Sequence, residues 1–323
     1  MENNCSFVCS RGILKSCVFH SPHPQSSWCY DTNYLIEMIH SNNMFDKMSI
    51  YVCTDVLPFF LYEILPRINN TFYLISGDSD ATVPNGGIDI YHNPRKLEHD
   101  VCMKILNHPK LIKWFAQNCI YKKTDILSDV NDCCIFNNSK ITQLPIGLDY
   151  HTISNDPNKF WRDENEGSSP EYQEMILKNI RATMKPFYNR NKKIFVNMSM
   201  GDTDSCNRRR AFNSIPSELI HLNANKMPRT QVWKEIIEYS FCLSPYGAGP
   251  DCHRHWEILC LGSIPIIQSL GSNEMFEDLP VLIIEEWSDI NEKLLEDTIE
   301  KFKNQKFNYD KLLLRYWVDQ FSL

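Results

Sequence analysis

Residues 241–267 combine a glycine-containing loop with a charged helix start. Gly247 and Gly249 lie in the loop, between a predicted strand and a helix that we expect to begin at His253. Glycine permits a positive φ and lets a ligand approach the backbone closely. The free N–H groups of a helix N-terminus attract anions, and His253 and Arg254 can add donors or charge there. This pattern predicts a phosphate-binding site.

A carboxylate follows one turn later in the same helix. Glu257 comes four residues after His253 and three after Arg254, so all three lie on one helix face. A carboxylate in that place can accept hydrogen bonds from a ribose diol, and a phosphate site above a ribose site predicts a nucleotide pocket. The loop is not a Walker loop, because no Gly-Lys-Ser/Thr follows it. The alternative is a surface ion pair between Glu257 and Arg254 that binds no ligand.

Short apolar runs alternate with amphipathic segments along the chain, as an α/β architecture requires. We predict strands at 49–54, 71–76, 141–146, 193–197, 218–222, 241–244 and 264–267. The spacing of apolar residues predicts helices at 30–40, 104–116, 208–215, 231–239, 253–261, 291–302 and 309–321. The second half of the chain is typical of a doubly wound unit with a parallel sheet.

A polar stretch at 154–169 separates the two halves and has the composition of a linker. We expect a helix after it, because Ser168 and Glu171 form a capping-box pattern and Pro170 suits a first helical turn. The predicted buried stripe of this helix consists of Tyr172, Met175, Ile176 and Ile180.

The composition narrows the class of protein. Of the 323 residues, 43% are apolar, which is enough to fill packed cores and excludes a disordered chain. The 33 Lys and Arg against 40 Asp and Glu give a net charge of −7, which disfavours a general nucleic-acid binder. No apolar stretch reaches the 18 residues or so of a membrane span, and the first residues carry no leader pattern. Thirteen scattered cysteines are typical of free thiols in a reducing compartment, so we expect a soluble, cytoplasmic protein.

Several motifs together resemble a known family. The run Ser244-Pro-Tyr-Gly-Ala-Gly-Pro-Asp-Cys-His-Arg-His-Trp-Glu257, followed by Leu261-Gly-Ser-Ile-Pro-Ile266, is similar to the signature of exostosin-like glycosyltransferases of the GT47 type. The segments 278–284 and 287–290 also match. The resemblance extends upstream to Ser10-Arg-Gly12, Ser76-Gly-Asp-Ser-Asp80, Pro145-Ile-Gly-Leu-Asp-Tyr-His-Thr152 and Arg208-Arg-Arg-Ala211. These features are similar to the compact enzymes of large algal and amoebal DNA viruses, for which the cytoplasm would be that of the host cell.

The resemblance implies a GT-B fold, in which two Rossmann-like domains face each other across a cleft. It divides the chain into an N-terminal acceptor-side domain (1–153), a linker and connecting helix (154–190), a C-terminal nucleotide-sugar domain (191–308), and a last helix (309–323) that packs back towards the first domain. It implies a UDP-sugar donor, a glycan acceptor, no cofactor and no obligatory metal. The residues that it assigns to the donor are Arg208, Ser244, Pro245, Gly247, Gly249, Asp251, His253, Arg254 and Glu257. Among these, Glu257 would hold the ribose and Arg208 would neutralise the diphosphate.

One residue departs from the family pattern. Tyr246 stands where the family usually has Arg, which shifts the burden of positive charge to Arg208 and Arg254.

An inverting sugar transfer needs a base that takes the proton of the acceptor hydroxyl. Asp78, Asp149 and His151 are the candidates, because each follows a predicted strand, where Rossmann-like sheets carry functional groups. Two alternatives remain open. Asp78 and Asp80 could hold Mn²⁺ against the diphosphate in a metal-dependent transferase, or the chain could be a non-catalytic module that binds a nucleotide or sugar.

Overall fold

The computed structural model describes residues 2–22, 24, 31–41, 43–84, 99–120, 140–159, 161–199, 205–269 and 273–322. They form a mixed α/β structure with two parallel sheets, one in each half of the chain. None of the helices in these ranges combines the length and the hydrophobicity that a membrane crossing needs.

The first sheet has four parallel strands in the order in which they follow along the chain. The strands are β1 (Met48–Cys53), β2 (Phe72–Gly77), β4 (Leu111–Ala116) and β6 (Ile141–Gln143). Two short strands pair beside it, β3 (Val83–Pro84) and β5 (Cys119–Ile120). The helices of this half are α1 (Ser10–Lys15), α2 (Asn33–His40), α3 (Leu57–Phe59), which continues as a π-helical turn (Phe60–Ile64), α4 (His99–Leu106) and α5 (His151–Asn155).

Helix α6 (Pro170–Ala182) connects this half to the second sheet. The five strands of that sheet are β7 (Asn191–Val196), β8 (Ile220–Leu222), β9 (Tyr239–Leu243), β10 (Ile264–Gln268) and β11 (Leu282–Ile284). The helices around it are α7 (Ser205–Ser214), α8 (Arg229–Ile236), α9 (His253–Cys260) and α10 (Glu292–Lys303), and the chain continues to α11 (Leu314–Val318).

The strand order of the second sheet predicts where a ligand would bind. The order is β11-β10-β9-β7-β8, so β8 lies on one side of β7 while β9 and β10 extend the sheet on the other side. The connections therefore reverse direction between β7 and β9. Open parallel sheets bind ligands outside the carboxyl ends of the strands at such a reversal. The segments that follow β7 and β9 begin at Asn197 and Ser244.

A continuous apolar core joins the two halves. One cluster of buried side chains includes Tyr51 and Phe115 of the first sheet together with Phe195 and Cys242 of the second. The C-terminal segment packs against the first half, where the rings of Phe115 and Phe321 lie 5.4 Å apart. Two backbone hydrogen bonds join this segment to the start of the chain. The N–H of residue 8 donates to the carbonyl of residue 312, and the N–H of residue 314 donates to the carbonyl of residue 6.

Several of the predicted elements are wrong in part. The predicted helix at 309–321 is a 3₁₀ turn (Tyr309–Leu312) followed by the short α11, because the backbone of Leu313 between them is extended.

The predicted helix at 104–116 is the end of α4 followed by strand β4, because Pro109 interrupts the helix between them. The residue that caps α6 is Ser169 and not Ser168, since its hydroxyl accepts a hydrogen bond from the N–H of Tyr172.

The buried face of α6 also differs from the prediction. It consists of Pro170, Gln173, Glu174, Leu177 and Ile180, whereas Met175 is 44% exposed. Glu174 faces inward because its carboxylate accepts hydrogen bonds from the backbone N–H groups of residues 6 and 7. The start of the predicted helix at 30–40 includes Tyr30, which lies outside the described residues, and α2 begins at Asn33.

The nine cysteines whose side chains the structure describes are all free, and eight of them are buried. Burial raises the pKa of eight thiols, that of Cys242 to about 12, so these eight remain protonated at neutral pH. They are Cys5, Cys9, Cys17, Cys102, Cys119, Cys242, Cys252 and Cys260. The side chains of Cys29, Cys133, Cys134 and Cys206 lie outside the described part of the chain.

Candidate functional site

A cleft of about 1180 Å³ lies between the carboxyl ends of the two sheets. Its walls come from the segments after β2 and β6 in the first half, and from those after β7, β8 and β9 in the second half. A cavity of this size can hold a nucleotide together with a sugar. All the site residues predicted from the sequence line this one cleft: Asp78, Asp149, His151, Arg208, Ser244, Pro245, Gly247, Gly249, Asp251, His253, Arg254 and Glu257.

The loop after β9 is held in a compact form by the N-cap residue of α9. The N–H of Gly247 donates to Sγ of Cys252, 2.9 Å away. A Cβ at position 247 would lie 3.2 Å from both this sulfur and Nη2 of Arg208. Glycine at 247 therefore lets the Arg208 guanidinium lie directly against the loop, at the edge of the cleft.

The expectation that glycine supplies a positive φ in this loop is wrong. Among the described glycines, a positive φ occurs at Gly147 and Gly262. Gly249 is required for a different reason, because a Cβ there would lie 2.8 Å from Nδ2 of Asn118. The loop after β9 thus packs directly against a side chain of the first half.

Asp251 fixes the same loop against the first half. Its Oδ2 accepts a hydrogen bond from the N–H of Ile146 at 2.7 Å, and its Oδ1 accepts one from the indole of Trp256 at 3.0 Å. The N–H of Asp251 donates to Asn118. Protein donors thus satisfy this carboxylate, whose side chain is 1% exposed. The donor contact that the resemblance implied for Asp251 is replaced by a role in positioning the loop.

The Ser244 and Trp256 side chains are both buried. The Ser244 hydroxyl is buried and has no hydrogen-bond partner among the described residues. It lines the cleft beside Pro245 and can donate to a ligand. Trp256, in contrast, does not line the cleft; it is fully buried and stacks on Phe276, so it belongs to the core. Tyr246 lines a separate small cavity beside Phe276.

Glu257 is a buried carboxylate at the wall of the cleft. It is 5% exposed, which argues against the alternative of a simple surface ion pair. Its two oxygens lie 3.6 Å from Nε of Arg229 and 3.5 Å from Nε of Arg254. A buried carboxylate needs such charged partners, because an unpaired charge loses its hydration without compensation.

Positive charge is concentrated around the start of α9. Arg208 reaches the cleft from α7, where its Nη1 donates to the carbonyl of Ser199 at 3.3 Å. Arg254 and His253 come from the first turn of α9, and Arg229 from the first turn of α8. Together with the dipole of α9, these groups form a site that can bind a diphosphate.

His151 and Asp149 form an acid–base pair on the opposite wall. Nδ1 of His151 lies 3.2 Å from Oδ1 of Asp149, and its ring lies 5.9 Å from the ring of His253. Burial raises the pKa of Asp149, but the positive charges of Arg229, His151 and His253 outweigh burial and hold this pKa well below its usual range. Asp149 is therefore ionised and a weak base.

The protonation of His151 follows from its surroundings. Burial lowers the pKa of His151 below 6.5; Asp149 opposes this shift, and the nearby His253 adds to it. The imidazole is therefore neutral at pH 7 and can accept a proton. Of the three predicted candidates for a base, His151 has the chemistry that fits best.

Asp78, the third candidate, is engaged in an ion pair. Its Oδ2 lies 3.0 Å from Nη1 of Arg11, and both side chains are nearly buried. Asp78 adopts a positive φ of 57°, and its N–H donates to the side chain of Gln117. This pairing fixes Asp78 at the edge of the cleft with its charge already compensated.

Sequence reasoning missed Arg229 and Asn118, which connect the two walls. The predicted helix began at 231, which left Arg229 in the preceding loop. The sequence does contain a sign that the helix starts earlier, because Pro228 directly precedes Arg229 and proline is frequent at helix starts. Nothing in the local sequence around Asn118 marks its contacts with residues 249 and 251.

Within the described ranges, no group of three or more His, Cys, Asp or Glu side chains is arranged to hold a metal ion. Comparison of the chain with protein-family models gave no match, and comparison with curated proteins gave none either.

Proposed function

We propose that this chain is a glycosyltransferase that moves a sugar from a UDP-sugar to a hydroxyl group of a glycan acceptor. In this proposal the two sheets are the Rossmann-like units of a GT-B enzyme, related to the exostosin-like family, and the transfer inverts the anomeric carbon without an obligatory metal. The observation that carries the proposal is the cleft itself. It joins a cluster of cations at a helix start, a buried carboxylate one turn below, and a neutral His151 beside the ionised Asp149 on the facing wall.

The donor would bind in the second half of the chain. The diphosphate would contact Arg208, Arg254, His253 and the N-terminus of α9, and the ribose diol would donate to Glu257. Binding of the ribose would replace part of the contact between Glu257 and its arginines. Glu257 would stay buried beside its arginines, and a carboxylate forms stronger hydrogen bonds to hydroxyl groups than a neutral acceptor does.

The chemical step would take place between the two walls. Nε2 of His151 accepts the proton of the acceptor hydroxyl as its oxygen bonds to the anomeric carbon. The bond from that carbon to the diphosphate breaks, and UDP leaves with the electron pair. Arg208, Arg254 and the dipole of α9 stabilise the charge that develops on the departing diphosphate. Asp149 stabilises the imidazolium that His151 becomes.

A metal-dependent transferase that uses Asp78 and Asp80 is the competing proposal. It would need the Asp78 carboxylate to exchange its contact with Arg11 for a metal ion. The two proposals differ in an effect that can be measured directly, namely the response of donor binding and turnover to EDTA and Mn²⁺.

Calorimetric and thermal-shift titration with a panel of UDP-sugars, with and without EDTA, tests the proposal. A ligand that binds only the folded state raises the melting temperature, so this experiment needs no acceptor. We expect one UDP-sugar to bind in EDTA and to lose at least about tenfold in affinity in Glu257→Ala, because a hydrogen bond to a charged group contributes about 1.5–3 kcal/mol. Glu292→Ala, at the exposed start of α10, is the matched control.

Each outcome has a consequence. Binding that requires Mn²⁺ would favour the metal-dependent proposal. No binding of any UDP-sugar, or equal effects of the two substitutions, would refute the nucleotide site. Normal binding without release of UDP in the presence of a mixed glycan acceptor pool would favour a non-catalytic module.

A further inference from the structure

Arg229 is the first residue of α8 and contacts three separate segments, through the cleft residues Asp149 and Glu257 and the α6 residue Gln173. Its side chain is 11% exposed. Nη2 lies 3.0 Å from Oδ2 of Asp149, while Nη1 donates both to the carbonyl of Asp149 and to Oε1 of Gln173, the latter at 3.0 Å. Nε lies 3.6 Å from Oε1 of Glu257.

These contacts put one guanidinium between two carboxylates with different roles. Asp149 belongs to the first half of the chain and lies beside His151, whereas Glu257 belongs to α9 in the second half. A guanidinium presents its N–H groups in one plane and at fixed angles, so it can hold two acceptors in a defined relative position. Lysine has a single charged group, so it could keep its charge beside Asp149 but would lose the contact with Glu257.

The local backbone also holds Arg229 in place. Its N–H donates to the carbonyl of Trp161 at 2.6 Å, and its guanidinium lies 5.9 Å from the ring centre of Trp233. The side chain is thus fixed by its own backbone, by an aromatic face and by three acceptors. This fixation restricts where the carboxylate of Asp149 can lie.

We infer that Arg229 is a positioning residue, which fixes the carboxylate of Asp149 beside His151 and joins this pair to Glu257 across the cleft. The inference deepens the proposed function and depends on it for its effect on turnover. The effect of Arg229 on His151 and Asp149 depends only on the geometry of these side chains, so it can be measured in the protein without donor or acceptor.

The charges that face His151 determine what the loss of Arg229 would do. They are Asp149 and Asp78, which favour the imidazolium, and His253 and Arg11, which oppose it. Arg229 partly neutralises Asp149. Without the guanidinium, the full charge of Asp149 acts on His151, so the pKa of His151 rises and the proton-accepting form becomes less populated near neutral pH.

Nitrogen-15 NMR titration of the histidines in the full chain, without donor, tests the inference. His151→Asn assigns the signal. We expect Arg229→Gln to raise the pKa of His151 by on the order of 1 unit. Arg229→Lys keeps the charge and should leave this pKa close to the wild-type value. Arg315→Gln removes an arginine whose side chain is 87% exposed and should have no effect. An unchanged pKa in Arg229→Gln would overturn the inference.

A measurement on the wild-type protein covers the case in which Arg229→Gln does not fold. Nδ1 of His151 is buried 3.2 Å from Oδ1 of Asp149 without a hydrogen bond to it, so the negative charge of the carboxylate should hold the proton of the neutral ring on Nδ1 and leave Nε2 as the acceptor. The nitrogen shifts distinguish the two tautomers. A proton on Nε2 would contradict the inference.

Kinetics then separate the inference from the proposed function. If the protein transfers sugar, the acid limb of the pH profile of kcat should move to higher pH in Arg229→Gln and stay in place in Arg229→Lys. If no UDP-sugar binds but the NMR shifts occur, the proposed function fails and the role of Arg229 stands. If sugar transfer occurs and the acid limb does not move, the inference fails and the proposed function stands.

Discussion

Nδ1 of His253 lies 2.7 Å from the carbonyl oxygen of Gly147. A carbonyl can only accept, so Nδ1 must carry a proton and the neutral ring has Nε2 as an acceptor. His253 can therefore donate to a diphosphate through Nε2 only as an imidazolium. Residue 147 is glycine for reasons separate from this contact. Its φ is 66°, and a Cβ there would lie 2.4 Å from the carbonyl oxygen of Val8.

We expect His151→Asn to lower kcat by about 10²–10⁴-fold, the usual contribution of a general base. Donor affinity should stay unchanged, because His151 belongs to the wall opposite the diphosphate site. Steady-state kinetics and calorimetry with UDP measure the two effects, and His40→Asn at the exposed end of α2 is the control. Loss of UDP binding in His151→Asn would show that this residue contacts the donor instead.

The protonation of His151 also determines how the activity of the wild-type protein depends on pH. A base acts only when it is unprotonated, and the pKa of His151 is lowered below 6.5. Activity should therefore be nearly constant from pH 8 down to about 6.5 and decline only below that value. An acid limb centred above pH 7 would contradict the assignment of His151.

Arg208→Gln should weaken UDP binding by about tenfold or more, because it removes a cation from the diphosphate site. Arg210→Gln provides the control from the same helix, since Arg210 forms an ion pair with Glu286 on the surface, where both side chains are 56% exposed. Calorimetry at two salt concentrations measures both variants. Similar affinities in the two variants would remove Arg208 from the diphosphate site.

Gly249→Ala should destabilise the protein by about 1–3 kcal/mol, because the new methyl group overlaps the Asn118 side chain. Asn118 has a φ of 50°, so glycine suits this position. The double variant Gly249→Ala/Asn118→Gly should therefore recover part of the stability that the single variant loses. Urea unfolding of both variants and of Asn118→Gly alone gives the three free energies, and purely additive losses would contradict the proposed overlap.

Asp149→Asn should lower the free energy of unfolding at pH 7 by about 3 kcal/mol, because it breaks a buried ion pair with Arg229. The pKa of Asp149 in the folded protein is well below its value in the unfolded chain. Its ionised form therefore stabilises the protein above the unfolded pKa of about 3.9, and this stability is lost as the pH falls towards the folded pKa. The difference between wild type and variant should shrink below about pH 4 in urea unfolding, and a difference that does not depend on pH would refute this prediction.

The sequence predicts most of the parallel strands, because short apolar runs between polar residues are typical of buried strands. It misleads at 104–116, where Ile105, Leu111, Ile112 and Phe115 have helical spacing although the first belongs to α4 and the others to β4. Pro109 was the better guide, since proline disrupts a helix interior. At 104–116 the effect of a proline on the backbone is therefore a better guide to the structure than the spacing of the apolar residues.

The residues of the candidate site also fall into two groups, those that the sequence identifies and those that it does not. The residues between 244 and 257 can be identified because the loop and the helix that follows it are continuous in sequence. Pro228 marks the helix start at Arg229, but the contacts of Arg229 could not be identified, because its partners Asp149 and Gln173 are 80 and 56 residues away. Contacts over such distances depend on how the two sheets meet, which no local pattern encodes. The occupied carboxylate of Asp251 was missed for the same reason.

The apolar core shared by the two halves has a consequence for how the molecule unfolds. Phe115, Phe195 and Phe321 belong to one buried cluster, so unfolding of either half removes packing from the other. Melting should therefore be a single cooperative event. For the same reason the two walls of the cleft cannot separate like a pair of independent lobes without breaking this cluster.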